Sequence, residues 1–97
     1  MDVKQPAVYI VTNDRNGTLY VGVTSNLVQR IWRHRSGTAA GFTIRYKAHR
    51  LVYFEMHPSM DAAILREKQI KKWNRSWKVE MIEKLNPYWN DLYPSIV

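Results

Sequence analysis

The sequence predicts an α+β layer fold, a single domain over 1–97 with helices packed on a sheet in the order β-β-α-β-α-α. Three observations predict it. Two β-branched and aromatic runs flank an Asn-Gly step. A third strand-like run follows later, and two stretches carry apolar residues at helical spacing. A chain of 97 residues has room for one core and no linker.

The first run is Ala7–Thr12. It ends in Asn13-Asp14-Arg15-Asn16-Gly17, and the second run is Thr18–Thr24. An Asn-Gly step between such runs is a hairpin signal. A two-residue turn at Asn16-Gly17 places Tyr9 opposite Thr24 and Val11 opposite Gly22, and a four-residue loop is the alternative. Both registers have the same parity. Tyr9, Val11, Tyr20, Gly22 and Thr24 share one sheet face, and Val8, Ile10, Leu19, Val21 and Val23 share the other. The second set is aliphatic and reads as core. The first carries two tyrosines beside a glycine.

Ser25 or Asn26 caps a helix running to Ser36, with Gly37 as its stop. Leu27, Ile31 and His34 form its apolar stripe, with Arg30 at the border. Residues 37–48 read as loop and Leu51–Met56 as a third strand. Pro58-Ser59 starts a long helix from Met60 to Asn74 or Trp77, whose apolar face holds Met60, Ala63, Ile64, Ile70 and Trp73. A last helix, Lys78–Leu85, turns Val79 and Ile82 inward, with Met81 a further candidate. The tail from Asn86 to Pro94 is rich in aromatic and turn residues.

Lys and Arg number 15 against 8 Asp and Glu, and the net charge of +7 points to a polyanionic partner. Nucleic acid comes first and an acidic membrane surface second. The absence of cysteine excludes disulfide scaffolds, thiolate zinc sites and iron–sulfur clusters. The longest apolar run, Ala7–Val11, is too short to span a bilayer, and the opening MDVKQP has no signal-like apolar stretch. A soluble cytoplasmic protein without a membrane partner is expected.

Glu67 lies inside the apolar face of the long helix. Burying an unpaired carboxylate costs several kcal/mol or raises its pKa, so a cation, a hydrogen-bond network, a bound metal or a wet edge must accompany it. Arg30 and His34 form an i, i+4 pair. Arginine presents a planar fork to phosphate, and histidine moves protons near neutral pH, but such a pair also serves capping or packing. Tyr9 and Tyr20 suit either packing or chemistry, and Gly22 marks a close approach or a bulge.

Two basic-aromatic stretches, RIWRHR (Arg30–Arg35) and KKWNRSWK (Lys71–Lys78), combine phosphate-neutralising charge with rings that can stack on bases. Arg33, Arg35, Lys68, Lys71 and Lys72 are the candidate nucleic-acid contacts, the alternative being a solvated rim. Trp73 reads as core, while Trp32 and Trp77 stay open. His34, His49 and His57 lack zinc-ligand spacing. Glu80 and Glu83 read as a solvated helix face.

In order, Val8-Tyr9, Tyr20-Val21-Gly22, Arg30, His34 and helical Glu67 resemble the GIY-YIG nuclease superfamily. The resemblance runs from Ala7 to Tyr93. It is closest to small stand-alone bacterial members through LYVGVTSNLVQRIWRH, LVYFE, AILREKQIKKW and LNPYWNDLY. It implies a three-stranded antiparallel sheet flanked by helices and an endonuclease cutting DNA, structured or single-stranded, with one Mg²⁺ or Mn²⁺ ion. Glu67 would hold the metal, and Tyr9 or Tyr20 would activate the attacking water. Arg30 would stabilise charge on phosphate, and His34 would relay protons. Gly22 would admit the substrate backbone, and Asn86 matches a late family asparagine. A tyrosine, with an ordinary pKa near ~10, acts as a base only if a metal or cation lowers that value.

Three features depart from the pattern. Ala7 stands at the glycine position of the first motif. Val23 stands where excision-repair members carry lysine, and the separate DNA-binding domain of related nucleases is absent. Two other readings therefore stand beside the nuclease: a noncatalytic nucleic-acid-binding module, and a small interaction protein docking a protein partner through Pro87–Pro94.

Overall fold

A strand with apolar residues at every position needs cover on both faces. The computed structural model, which describes residues 5–14, 17–36 and 50–97, supplies it for β1. The elements are β1 (Ala7–Thr12), β2 (Leu19–Thr24), α1 (Leu27–Ser36), β3 (Arg50–Met56), α2 (Met60–Lys72), α3 (Arg75–Leu85) and α4 (Tyr93–Ile96). The sheet is antiparallel in the order β2-β1-β3, and every residue of central β1 is buried.

The hairpin takes the register that pairs Tyr9 with Gly22 and Ala7 with Thr24. Asn16 lies outside the described residues, as do Gly37, the loop expected over 37–48 and His49. The loop after β1 is held by its own polar groups. Gly17 N–H donates to the Asp14 carbonyl at 2.9 Å, and Thr18 N–H donates to Asn13 Oδ1 at 3.1 Å. A β-carbon on Gly17 would collide with Asn13 Oδ1, so only glycine closes this loop.

The two sheet faces hold separate cores. Val8, Ile10 and Val21 pack with Ala63 and Ile70 of α2, Ile82 of α3 and Trp89. Ala7, Tyr9 and Val11 pack with Leu27 and Ile31 of α1, and Leu92, Tyr93 and Ile96 close that side. The tyrosine face is thus covered like the aliphatic one. A bulge between Ile10 and Val11 puts Val11 opposite Leu51 and Ile10 opposite Tyr53. The extra residue lets neighbours Val52 and Tyr53 join the same core, which strict alternation forbids.

Asn26 caps α1, its Oδ1 accepting from Gln29 N–H at 3.2 Å. Ser59 caps α2 through Ala62 N–H at 3.1 Å. The long helix expected to reach Asn74 or Trp77 instead stops at Lys72. Asn74 turns extended and its Oδ1 accepts from Trp77 N–H at 2.9 Å, so a new helix starts at Arg75 rather than Lys78. Glu55 fastens β3 to α2, accepting from Tyr53 Oη at 2.8 Å and Arg66 Nε at 3.1 Å.

The aromatic tail is not a free docking segment. Trp89 is wholly buried and donates from Nε1 to Glu83 Oε2 at 2.7 Å, so Glu83 also leaves the solvated face assigned to it. Trp89 sits at φ 57, a left-handed conformation costing a side-chain-bearing residue roughly 1–2 kcal/mol, offset here by burial of the indole. Past it the chain rounds the edge of β3, where Leu92 N–H donates to the Leu51 carbonyl at 2.8 Å. Leu51 N–H in turn approaches Asp91 Oδ1 at 3.3 Å.

Candidate active site

The period of the hairpin and the pitch of α1 bring four side chains together. Tyr9 projects from β1, Tyr20 from β2, and His34 from the stripe of α1 that carries Leu27 and Ile31. The ring centroids form a triangle, 6.4 Å from Tyr9 to Tyr20, 5.5 Å from Tyr9 to His34 and 5.8 Å from Tyr20 to His34. Tyr9 Oη and His34 Nε2 are hydrogen-bonded at 2.9 Å. Arg30, one turn before His34, lies near enough to the Tyr9 phenol for its positive charge to favour the ionised form.

The neighbour across from Tyr9 explains Gly22. A β-carbon there would run into Tyr9 Cζ and Oη and stand 2.8 Å from Cε1. The space that the resemblance assigned to substrate backbone is filled by the tyrosine itself. Glycine at this point is what allows Tyr9 to lie across the strand and reach His34.

Burial governs the proton affinities. It pushes the Tyr9 phenol well above its ordinary value. Tyr20 and Glu67 add to the rise, against the lowering by Arg30. The lowered tyrosine pKa that a base requires is therefore not a property of this resting site: the desolvation of β1 outweighs the arginine. His34 moves the other way, down to about 4, through burial first and the Arg30 charge second. At neutral pH the pair is a phenol bonded to a neutral imidazole. Among the described residues the buried His34 Nδ1 has no hydrogen-bond partner.

A histidine held at about 4 instead of 6.5 makes folding pH-dependent with a definite sign. The folded state favours the neutral ring, so its stabilisation is full above pH 6.5 and is lost as pH falls toward 4. The shift corresponds to about 3 kcal/mol. Urea unfolding at pH 7 and pH 4.5 is expected to show this loss in wild type, with a clearly smaller one in His34→Gln. Equal losses in the two proteins would remove His34 as the cause.

Glu67 comes from α2, on the far layer from α1, yet its charge reaches Tyr9. Its side chain is 13% exposed, and Lys71 Nζ lies 3.0 Å from Oε2. The sequence reading required a partner for this carboxylate, and Lys71 is one. Among the described residues no three His, Asp or Glu side chains cluster as a metal cage. A single carboxylate with solvent access does fit a hard divalent ion that keeps its waters and takes further oxygens from a phosphate. Glu67 would hold such an ion, with Lys71 giving way.

Other predicted site residues fall elsewhere. Asn86 is buried, but its amide donates to the carbonyls of Val52 and Asn90, both at 3.0 Å, and accepts from Asn90 N–H at 3.0 Å. Its side chain ties the tail to β3, which makes it a brace. Arg35 is ion-paired with Asp91 and stacks 4.6 Å over the Tyr93 ring, so its charge is already engaged. Arg33, Lys68, Lys71 and Lys72 are exposed. Trp32 and Trp77 are more than half exposed, and Trp73 is half-buried under the Arg66 guanidinium at 5.2 Å. Sequence reasoning missed Asp91, which no local pattern marks. It also missed the role of Lys71, which i, i+4 spacing from Glu67 could have supplied.

The model of the GIY-YIG catalytic domain matches residues 5–80. The chain is similar to the UPF0213 protein SH2523 of Staphylococcus haemolyticus, 40% identical over 77 residues, covering 79% of this chain and 93% of that protein. A UPF0213 protein of Syntrophus aciditrophicus is 41% identical over 71 residues, covering 72% of this chain and 80% of the relative. The solution NMR structure of the UPF0213 protein BH0048 from Bacillus halodurans superposes with a TM-score of 0.56 at 28% identity, covering 90% of this chain and 92% of that one. With these matches over most of its length, and with a three-stranded antiparallel sheet between helices, the chain belongs to the GIY-YIG family.

Proposed function

We propose that this protein is a divalent-metal-dependent endonuclease that hydrolyses phosphodiester bonds in DNA. One observation carries the reading: the rings of Tyr9, Tyr20 and His34 form a cluster with centroids 6.4, 5.5 and 5.8 Å apart, Tyr9 Oη is bonded to His34 Nε2, and Arg30 stands one helical turn before that histidine. An arginine beside two phenols and an imidazole, with Glu67 as candidate metal ligand, is the equipment phosphate hydrolysis needs and a passive binding surface does not.

In this reading Arg30 holds the non-bridging oxygens, where negative charge gathers as water adds to phosphorus. Tyr20, the partly exposed phenol of the pair, takes the proton of that water as its own passes to solvent, while wholly buried Tyr9 stays a phenol, donates to His34 Nε2 and holds the ring in place. Neutral His34 can accept there when its proton resides on Nδ1. The new bond is water oxygen to phosphorus; one ester P–O bond breaks, and the departing oxygen is protonated from solvent. Magnesium or manganese on Glu67 would add Lewis-acid stabilisation of the phosphate. The packed rings of Tyr20 and His34 fix the Tyr9 orientation.

The test is a panel of labelled single strand, duplex, fork and four-way junction DNA with Mg²⁺, Mn²⁺ or EDTA. Products with either metal and none with EDTA are expected. Binding to the panel without products under any condition would replace this reading with the noncatalytic module.

A further inference from the structure

Between the β1–β2 loop and the start of α3 lies a cleft of about 490 Å³ lined by Gly17, Thr18, Leu19, Arg75 and Lys78. Arg75 Nη2 donates to the Gly17 carbonyl at 2.8 Å. The acceptor is neutral, so the contact orients the guanidinium without cancelling its charge. Gly17 and Thr18, which flank the contact, are themselves tied to Asp14 and Asn13 by hydrogen bonds of 2.9 and 3.1 Å. A guanidinium oriented before binding loses less freedom when an anion arrives.

The cleft lies on the aliphatic side of the sheet, where Leu19 packs against the core shared by α2 and α3, opposite the face that carries Tyr20. Lys71, paired with Glu67, precedes Arg75 by four residues across the break between α2 and α3, so basic residues follow one another along the chain from the candidate metal ligand to the cleft.

We propose that this cleft is a secondary phosphate subsite, in which Arg75 and Lys78 bind the backbone of the DNA substrate beyond the phosphate being cut. This rests on the nucleic-acid reading of the active site and names a second surface that the substrate uses. Contacts of this kind bind phosphate irrespective of base sequence.

The measurement is DNA affinity by fluorescence anisotropy in EDTA, where no strand is consumed, over a series of salt concentrations. Arg75→Gln/Lys78→Gln is expected to bind roughly tenfold more weakly than wild type, uniformly across sequences, with a log–log salt slope shallower by about 2. Lys84→Gln, an exposed lysine at the other end of α3, is expected to change affinity by less than about twofold. Lys78→Gln alone leaves the loop hydrogen bonds intact and should flatten the slope by about 1. It decides the matter if Arg75→Gln disturbs the loop. A double variant and Lys78→Gln that both match Lys84→Gln would overturn the subsite while wild-type binding upheld the nucleic-acid reading. Wild type that bound no DNA at low salt would overturn both.

Discussion

Glu67→Gln is expected to lower metal-dependent DNA cleavage by about a thousandfold, the several kcal/mol that a Lewis acid contributes at a phosphate. The substitution keeps the shape of the side chain and removes only its charge. Lys71 is half exposed and returns to solvent when its partner loses its charge, and the neutral amide leaves no charge in the largely buried Glu67 position. Thermal midpoint and DNA affinity in EDTA should stay near wild type, which separates loss of chemistry from loss of structure. Cleavage at the wild-type rate would show that Glu67 does not hold the metal.

Trp89→Ala should be among the most damaging single changes to stability. Emptying a fully buried aromatic site costs about 3–5 kcal/mol, against a total of roughly 5–15 kcal/mol for a domain. Alanine also keeps the left-handed backbone cost while losing the burial that offsets it. The melting temperature is expected to fall by about 20 °C. Tyr88→Ala next to it removes a ring that is 73% exposed and should change stability by less than about 0.5 kcal/mol. A Trp89→Ala protein that melted with wild type would restore the view of this tail as a surface segment.

The residues that were legible are those whose position follows from a period. Tyr9, Tyr20 and Gly22 fall on one face because strand side chains alternate, and either hairpin register gives the same set. Leu27, Ile31 and His34 share a stripe because a helix repeats every 3.6 residues. Glu67 stood out as a charge on an apolar face, and the structure supplies both a lysine and partial solvent access.

The rest turned on tertiary partners that no period encodes. Alternation separates two faces but does not say that both are covered, so the packing of α1 and the tail on the tyrosine side went unseen. The break at Trp73–Asn74 has no proline or glycine to mark it; it rests on one asparagine side chain choosing to cap. Trp89, among prolines and asparagines, reads equally well as exposed or buried until its core is known. The proton affinity of Tyr9 depends on how completely β1 is desolvated, a property of the assembled layers.

The route of the chain after Trp89 couples the two halves of the molecule. Trp89 belongs to one core, and Leu92, Tyr93 and Ile96 belong to the other, with hydrogen bonds to Leu51 at the crossing. A buckle of this kind removes partial opening from the repertoire. The helix bearing Arg30 and His34 rests on the second core, so it cannot peel from the sheet while the segment stays anchored in the first. Amide exchange in α1 is therefore expected to slow toward that of β1, and fast exchange of α1 alone would show that the segment does not couple them. With the two coupled, the geometry around Tyr9 is either fully present or lost with the fold.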